Sequence, residues 1–347
     1  MQTALAPGLE ISKIITGLWQ IADIERKQEV DPKIYSRTID PYVEAGFTTF
    51  DMADHYGSSE LIMGHFNEQS ADSNVQLFTK WVPKPGSLSR EITKEAVHLA
   101  LRRLNKSSID LLQYHAWHYP NPSWLDALYY LKELKDEGLI KHIGVTNFDA
   151  AHLRIAKTSG IPIVSNQISH SLIDDRANTS DMIDVCTKYN IKLIAYGVVM
   201  GGFLTKKWLN KNEPNQENLS TWSEMKYKRF IDESGGWNSY QNLLSVVNKI
   251  ALNHNASIAN ICSKYILDNP RVSGIIIGAR LGQNDHIIDN QNILNIEITK
   301  SERNKIEEAQ KSLNSIPGNC GDEYRKAPFL TASGDLSHHY KKIPKVF

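Results

Sequence analysis

A chain of 347 residues with 39 basic and 39 acidic side chains carries no net charge that would favour a nucleic-acid backbone or an acidic membrane surface. Its 41% apolar content, dispersed among polar segments, suits a packed core and excludes a fibrous or disordered chain. Cys186, Cys262 and Cys320 form no C-x-x-C pair, no apolar run is long enough to span a bilayer, and MQTALAPGLEISK lacks the pattern of a secretion signal. The expectation is a reduced, cytoplasmic protein with no nucleic-acid, membrane or obligate protein partner.

Taken in chain order, short apolar or β-branched runs recur at 14–18, 47–50, 75–79, 109–112, 142–145, 163–165, 191–195 and 272–277. Amphipathic segments separate them. Ile92, Ala96, Leu99, Ala100 and Leu104 share a helical period after Ser87 or Ser89 as its cap, and Leu125, Leu128, Leu131 and Leu134 share one after Pro122 and Ser123, with Gly138 as a stop. Alternation of this kind means parallel strands covered by helices, and eight runs predict a single (β/α)8 TIM barrel over 1–315.

The stretch from 197 to 270 is too long for one crossover, which predicts an insertion around 205–238. It should hold a short helix near 204–208 and a polar stretch over 210–224. Trp222, Tyr227, Phe230 and Trp237 either fold over a ligand site or pack on the barrel. Helices near 240–253, 258–267 and 301–313 follow, and 316–347 reads as a C-terminal extension. A doubly wound dinucleotide fold lacks support, because the first strand leads into Trp19, Gln20 and Ile21 and no G-x-G-x-x-G or phosphate-binding P-loop occurs.

In such a barrel the loops after the strands converge on one opening. Asp51 and Tyr56 lie in FDMADHYG, Lys80 ends LFTK and His115 ends DLLQYH, so four ionisable groups share that mouth. A lysine ammonium beside a phenol eases proton release, a carboxylate holds the lysine, and an imidazole donates to a carbonyl oxygen. The alternative for Asp51 and Lys80 is a buried structural ion pair. His115 and His118 form H-x-x-H, too few ligands to predict a metal. No G-x-S-x-G elbow supports a serine hydrolase.

Together GFTTFDMADHYG, LFTKW and DLLQYH resemble the aldo-keto reductase superfamily, and the resemblance runs across almost the whole barrel. It implies NAD(P)H-dependent reduction of an aldehyde or ketone, with Tyr56 as proton donor, Asp51 and Lys80 as its charged support and His115 orienting the carbonyl. By the same resemblance Thr146 and Asn147 in HIGVTNF and Gln167 in VSNQ contact the nicotinamide carboxamide, and Tyr196 in LIAYG packs on its ring. Gly197 through Leu204, including Gly201, resembles the loop on the phosphate side, with VVMGG where PLGGG is common. IIIGARLGQNDHIIDN resembles the adenosine-phosphate region: Gly278 for close approach, Arg280 on a 2′-phosphate, His286 and Asn290 flanking adenine. NADPH is the expected cofactor and NADH the alternative. His286 stands where an arginine-like residue is expected, and His170 replaces the more usual tyrosine.

Trp19, Trp81, Trp117 and Trp237 are the candidate aromatic walls for a small carbonyl substrate, with His118 and Tyr119 setting its polarity. A reductase-like regulatory subunit that binds cofactor is the competing function.

Overall fold

A computed structural model describes residues 1–325 except 26, 71–73, 85, 117–118, 120–121 and 284–285. The chain begins with an antiparallel hairpin, β1 (Gln2–Ala6) and β2 (Leu9–Ser12), that the periodicity did not single out. Eight strands follow: β3 (Ile14–Gly17), β4 (Thr49–Asp51), β5 (Gln76–Trp81), β6 (Ile109–Tyr114), β7 (Ile140–Thr146), β8 (Ile163–Ser169), β9 (Lys192–Tyr196) and β10 (Val272–Gly278). Each pairs in parallel with its neighbour, and β10 pairs with β3 to close the barrel. The expected (β/α)8 TIM barrel is the observed fold, and every predicted strand has its counterpart.

Local chemistry accounts for the covering helices. Ser89 adopts an extended conformation and accepts a hydrogen bond from the Ile92 amide, starting the helix Arg90–Leu104. That helix stops at Asn105, whose φ of 49° lies in the left-handed region. In the helix Ser123–Asp136 the period of Leu128, Leu131 and Leu134 becomes a fully buried face.

The interior of the barrel changes character along its axis. Leu5, Leu9 and Ile11 of the hairpin pack with Ile15, Phe78, Leu111 and Ile194, so the hairpin seals the end from which the strands start. Side chains two residues apart share one face of a strand. Phe78 is therefore followed on the inner face by Lys80, Leu111 by Gln113 and then His115, and Ser165 by Gln167. Apolar filling gives way to a polar layer where the strands end.

The insertion is more helical than its composition suggested. Thr221 accepts from the Glu224 amide at 3.0 Å and starts the helix Trp222–Glu233, which precedes the helix Gly236–Asn253. Phe203, Phe230, Tyr240 and Leu243 build a second apolar cluster beside the barrel. Beyond it, Asp322–Arg325 forms a short helical turn. Buried Arg176 holds that turn by donating to Asp174 at 2.8 Å and to Glu323 at 2.7 Å. The rest of the predicted extension, 326–347, lies outside the described residues. Among the described residues no helix is long and apolar enough to cross a membrane.

Candidate active site

Where the strands end, an open cavity is lined by Asp51, Tyr56, His115 and Tyr196 among others. Beneath it lies a hydrogen-bonded layer. The Lys80 ammonium donates to Asp51 Oδ2 at 2.6 Å and to the Met52 carbonyl at 2.9 Å. Asp51 Oδ1 accepts from Gln113 Nε2 at 3.0 Å and from Gln167 Nε2 at 2.7 Å, and Gln167 also donates to Gln113 Oε1 at 2.9 Å. All four side chains are buried. Two charges this far from water persist only when paired and hydrogen-bonded. Gln113 was absent from the sequence reading, although its place two residues before His115 on one strand was the available signal.

Tyr56 stands above this layer. Its ring centroid is 4.8 Å from Lys80 Nζ, and Trp19 meets it edge-on at 4.9 Å. Burial holds the Tyr56 phenol well above its ordinary range, and the Asp51 carboxylate adds to the effect. Burial pulls the Lys80 ammonium downward against the opposing pull of Asp51. His115 is pushed well below the usual imidazole range by burial and then by the Arg325 guanidinium, so it is neutral near pH 7. Asn147 Nδ2 donates to His115 Nε2 at 3.2 Å, while Asn147 Oδ1 accepts from the Tyr196 hydroxyl at 2.8 Å. In this arrangement the His115 ring proton sits on Nδ1.

Asp51, Tyr56, Lys80 and His115 are thus brought together, and Trp19, Thr146, Asn147, Gln167, Tyr196, Gly197, Gly201 and Gly278 line the same cavity. A second cavity adjoins it, sharing Gln20, Gly201 and Gly278 and reaching Arg280, His286 and Asn290. Gly197 has a φ of 73°, and a Cβ there would sit 2.2 Å from the Tyr227 hydroxyl, so only glycine lets the backbone line the mouth at that point.

Several predicted positions fall elsewhere. Trp237 donates from Nε1 to the Lys211 carbonyl and packs on Phe203 and Tyr240 in the second apolar cluster, because the phase of its helix turns it away from the mouth. Trp81 is buried beside Tyr114, with ring centroids 5.5 Å apart, and is not among the lining residues. The Leu204 side chain is buried in the second cluster, while its neighbours Gly202 and Thr205 line the second cavity. Trp117 and His118 lie outside the described residues. His170 is buried and donates from Nδ1 to the Asp174 carbonyl at 2.9 Å, anchoring the turn that carries Arg176. Of the insertion aromatics, Trp222 and Tyr227 line the mouth, Tyr227 also packing in the second cluster with Phe230 and Trp237.

These two cavities fit a nicotinamide dinucleotide. The Thr146 hydroxyl and Gln20 Oε1 are buried without a hydrogen-bond partner among the described residues, and both residues line the mouth, Gln20 at its seam with the second cavity. Unsatisfied buried polar atoms call for a ligand that pairs them. Gln20 was missed as a site residue; a polar side chain in the first strand-end loop was its only mark. The Arg280 side chain has no ion pair or hydrogen bond among the described residues, which suits an incoming phosphate. Among the described residues no group of three His, Cys, Asp or Glu is arranged to hold a metal.

Residues 13–311 match the model of the Aldo/keto reductase family. Among its relatives is a chloroplastic pyridoxal reductase of Arabidopsis thaliana, 27% identical over 190 residues. That alignment covers 50% of this chain and 52% of the relative, so it spans about half of that protein. The aldo-keto reductase YhdN of Bacillus subtilis is 27% identical over 285 residues, 79% of this chain and 82% of that one. A solved glycerol dehydrogenase of Gluconobacter oxydans shares the fold with a TM-score of 0.72 at 21% identity, covering 90% of this chain and 95% of that chain.

Proposed function

Since the chain belongs to the aldo/keto reductase family, we propose that it reduces an aldehyde or ketone to an alcohol, with NADPH as cofactor and Tyr56 as proton donor. The observation that carries this reading is the convergence of Tyr56, His115 and the buried Asp51–Lys80 pair on one cavity. When bound, the cofactor supplies the hydride.

The side chains account for the rest of the chemistry. Negative charge grows on the carbonyl oxygen during reduction and must be met by a proton and a hydrogen bond. Tyr56 keeps its proton until then, because burial raises its pKa. The nearby Lys80 ammonium favours the phenolate left behind, and Asp51 keeps that ammonium fixed. Neutral His115 orients the carbonyl: as its contact with Asn147 is given up, the ring proton moves from Nδ1 to Nε2, which then donates to the carbonyl oxygen. Thr146, Asn147 and Gln167 would hold the carboxamide, Tyr196 the ring, and Gln20, Gly197, Gly201 and Gly278 the path between the cavities. Arg280, His286 and Asn290 would take the adenosine end, with Arg280 on the 2′-phosphate that favours NADPH over NADH. Three buried cysteines without disulfides suit the reducing cytoplasm.

Separately prepared 4R- and 4S-deuterated NADPH test the reading with any accepted aldehyde. Deuterium in the alcohol from the 4R cofactor alone is expected. Clean transfer from the 4S cofactor, or no transfer from either, overturns the proposed seat.

A further inference from the structure

Lys226 projects from the helix Trp222–Glu233 into the lining of the catalytic mouth. Its ammonium is ringed by aromatic side chains, 4.5 Å from the Tyr324 centroid, 5.0 Å from Tyr196 and 5.4 Å from Tyr227. It donates one hydrogen bond to the Tyr324 hydroxyl, and its other two N–H donors have no hydrogen-bond partner among the described residues. No carboxylate of the described residues pairs with it. Glu323, the nearest carboxylate in sequence to Tyr324, is committed to Arg176. Tyr324, the phenol it touches, meets His115 edge-on at 5.6 Å, so Lys226 stands one aromatic ring away from the carbonyl-orienting imidazole.

The charge balance of the mouth is lopsided. Asp51 is the one carboxylate among the described lining residues, and Lys80 neutralises it. His115 is neutral near pH 7. Among the described lining residues Lys226 is left as the unbalanced charge, kept protonated despite burial by the Tyr324 and Tyr227 phenols and Glu323. An ammonium kept out of water without an anionic partner is costly, and a ligand anion that pairs with it recovers that cost. Aromatic faces satisfy part of the charge but leave the N–H donors available.

We infer that the mouth takes carbonyl compounds that also carry an anionic group, a carboxylate in the simplest case, and that Lys226 recognises it. This rests on the reductase reading, in which Tyr56 and His115 take the carbonyl end. The C-terminal turn then has a specific part: Arg176 pins Glu323, which sets Tyr324 where it steers the Lys226 ammonium. Lys226 acts in specificity and takes no part in the proton transfer.

The test pairs 4-carboxybenzaldehyde with methyl 4-formylbenzoate, which differ in charge and little in shape. The wild-type enzyme should favour the acid, and in Lys226→Met the ratio of kcat/KM for acid over ester should fall by about tenfold or more, as for loss of a charged hydrogen bond. Lys226→Arg should restore much of the ratio. Binding of terephthalate, read by quenching of tryptophan fluorescence from Trp19 and Trp222 without turnover, should weaken in parallel. An unmoved ratio overturns the inference, as does a loss confined to NADPH affinity, which would make Lys226 a cofactor contact. If neither aldehyde is reduced while terephthalate still binds through Lys226, the reductase reading falls and the anion site stands.

Discussion

Gln167 and Asp51, 116 residues apart in the chain, are joined by a hydrogen bond of 2.7 Å from Nε2 to Oδ1. The bond ties the residue expected to hold the nicotinamide carboxamide to the carboxylate that fixes Lys80. The proposed seat and the proposed support of the proton donor share one buried network, so a change in either is felt by the other.

Asp51→Asn leaves the Lys80 ammonium buried without its counterion. Removing one partner of such a pair costs about 3 to 5 kcal/mol. Urea unfolding should show that loss in Asp51→Asn. The double variant Asp51→Asn with Lys80→Met should recover part of it, since no lone charge remains. A double variant less stable than the sum of the two singles contradicts the buried-pair account.

Tyr56→Phe keeps the ring packed on Trp19 but removes the acidic proton. Carbonyl reduction in single-turnover assays should fall by about a hundredfold or more, while NADPH titration shows retained affinity. Turnover close to that of the wild type rules out Tyr56 as the principal acid.

The raised pKa of Tyr56 fixes the direction of the pH dependence. A proton donor is active when protonated, so reduction should stay level from about pH 6 to about pH 9 and decline only as pH rises past the ordinary phenol value of about 10. Alcohol oxidation needs the phenolate and should climb over the same range. Initial rates in both directions across pH provide the check, and a reduction rate already halved near neutrality speaks against this assignment.

Arg280→Ala should weaken NADPH binding by about tenfold or more and NADH binding much less, because only NADPH carries the 2′-phosphate. Fluorescence titration with both cofactors measures it. Equal weakening would place Arg280 on the diphosphate common to both.

His115 and His170 are both buried with pKa values below the ordinary imidazole value. The unfolded chain therefore takes up protons first, at about pH 6.5, so these residues favour the fold above that pH and the advantage is lost as pH falls toward their folded values. The thermal midpoint should drop between pH 7 and pH 5, and less steeply in His170→Asn.

The sequence by itself determined the eight strands, the barrel they make, and which residues stand at their ends. Strand formation and alternation are local properties: the run before Asp51, the run ending at Lys80 and the run leading to His115 each declare a strand, and barrel closure then carries all their ends to one rim. The tertiary structure alone decided how the side chains at that rim pair. Gln113 looked ordinary because its role depends on partners far away in the chain, and Gln20 because its place depends on two cavities meeting beside it. Trp222 and Trp237 were indistinguishable in composition, and the helix phase set by packing sent one to the mouth and the other into the second core. The meeting of Lys226 with Tyr324, 98 residues further along, was beyond any local pattern. It exists because buried Arg176 holds the turn Asp322–Arg325 beside the opening, and such long-range contact is encoded in the summed packing of the fold.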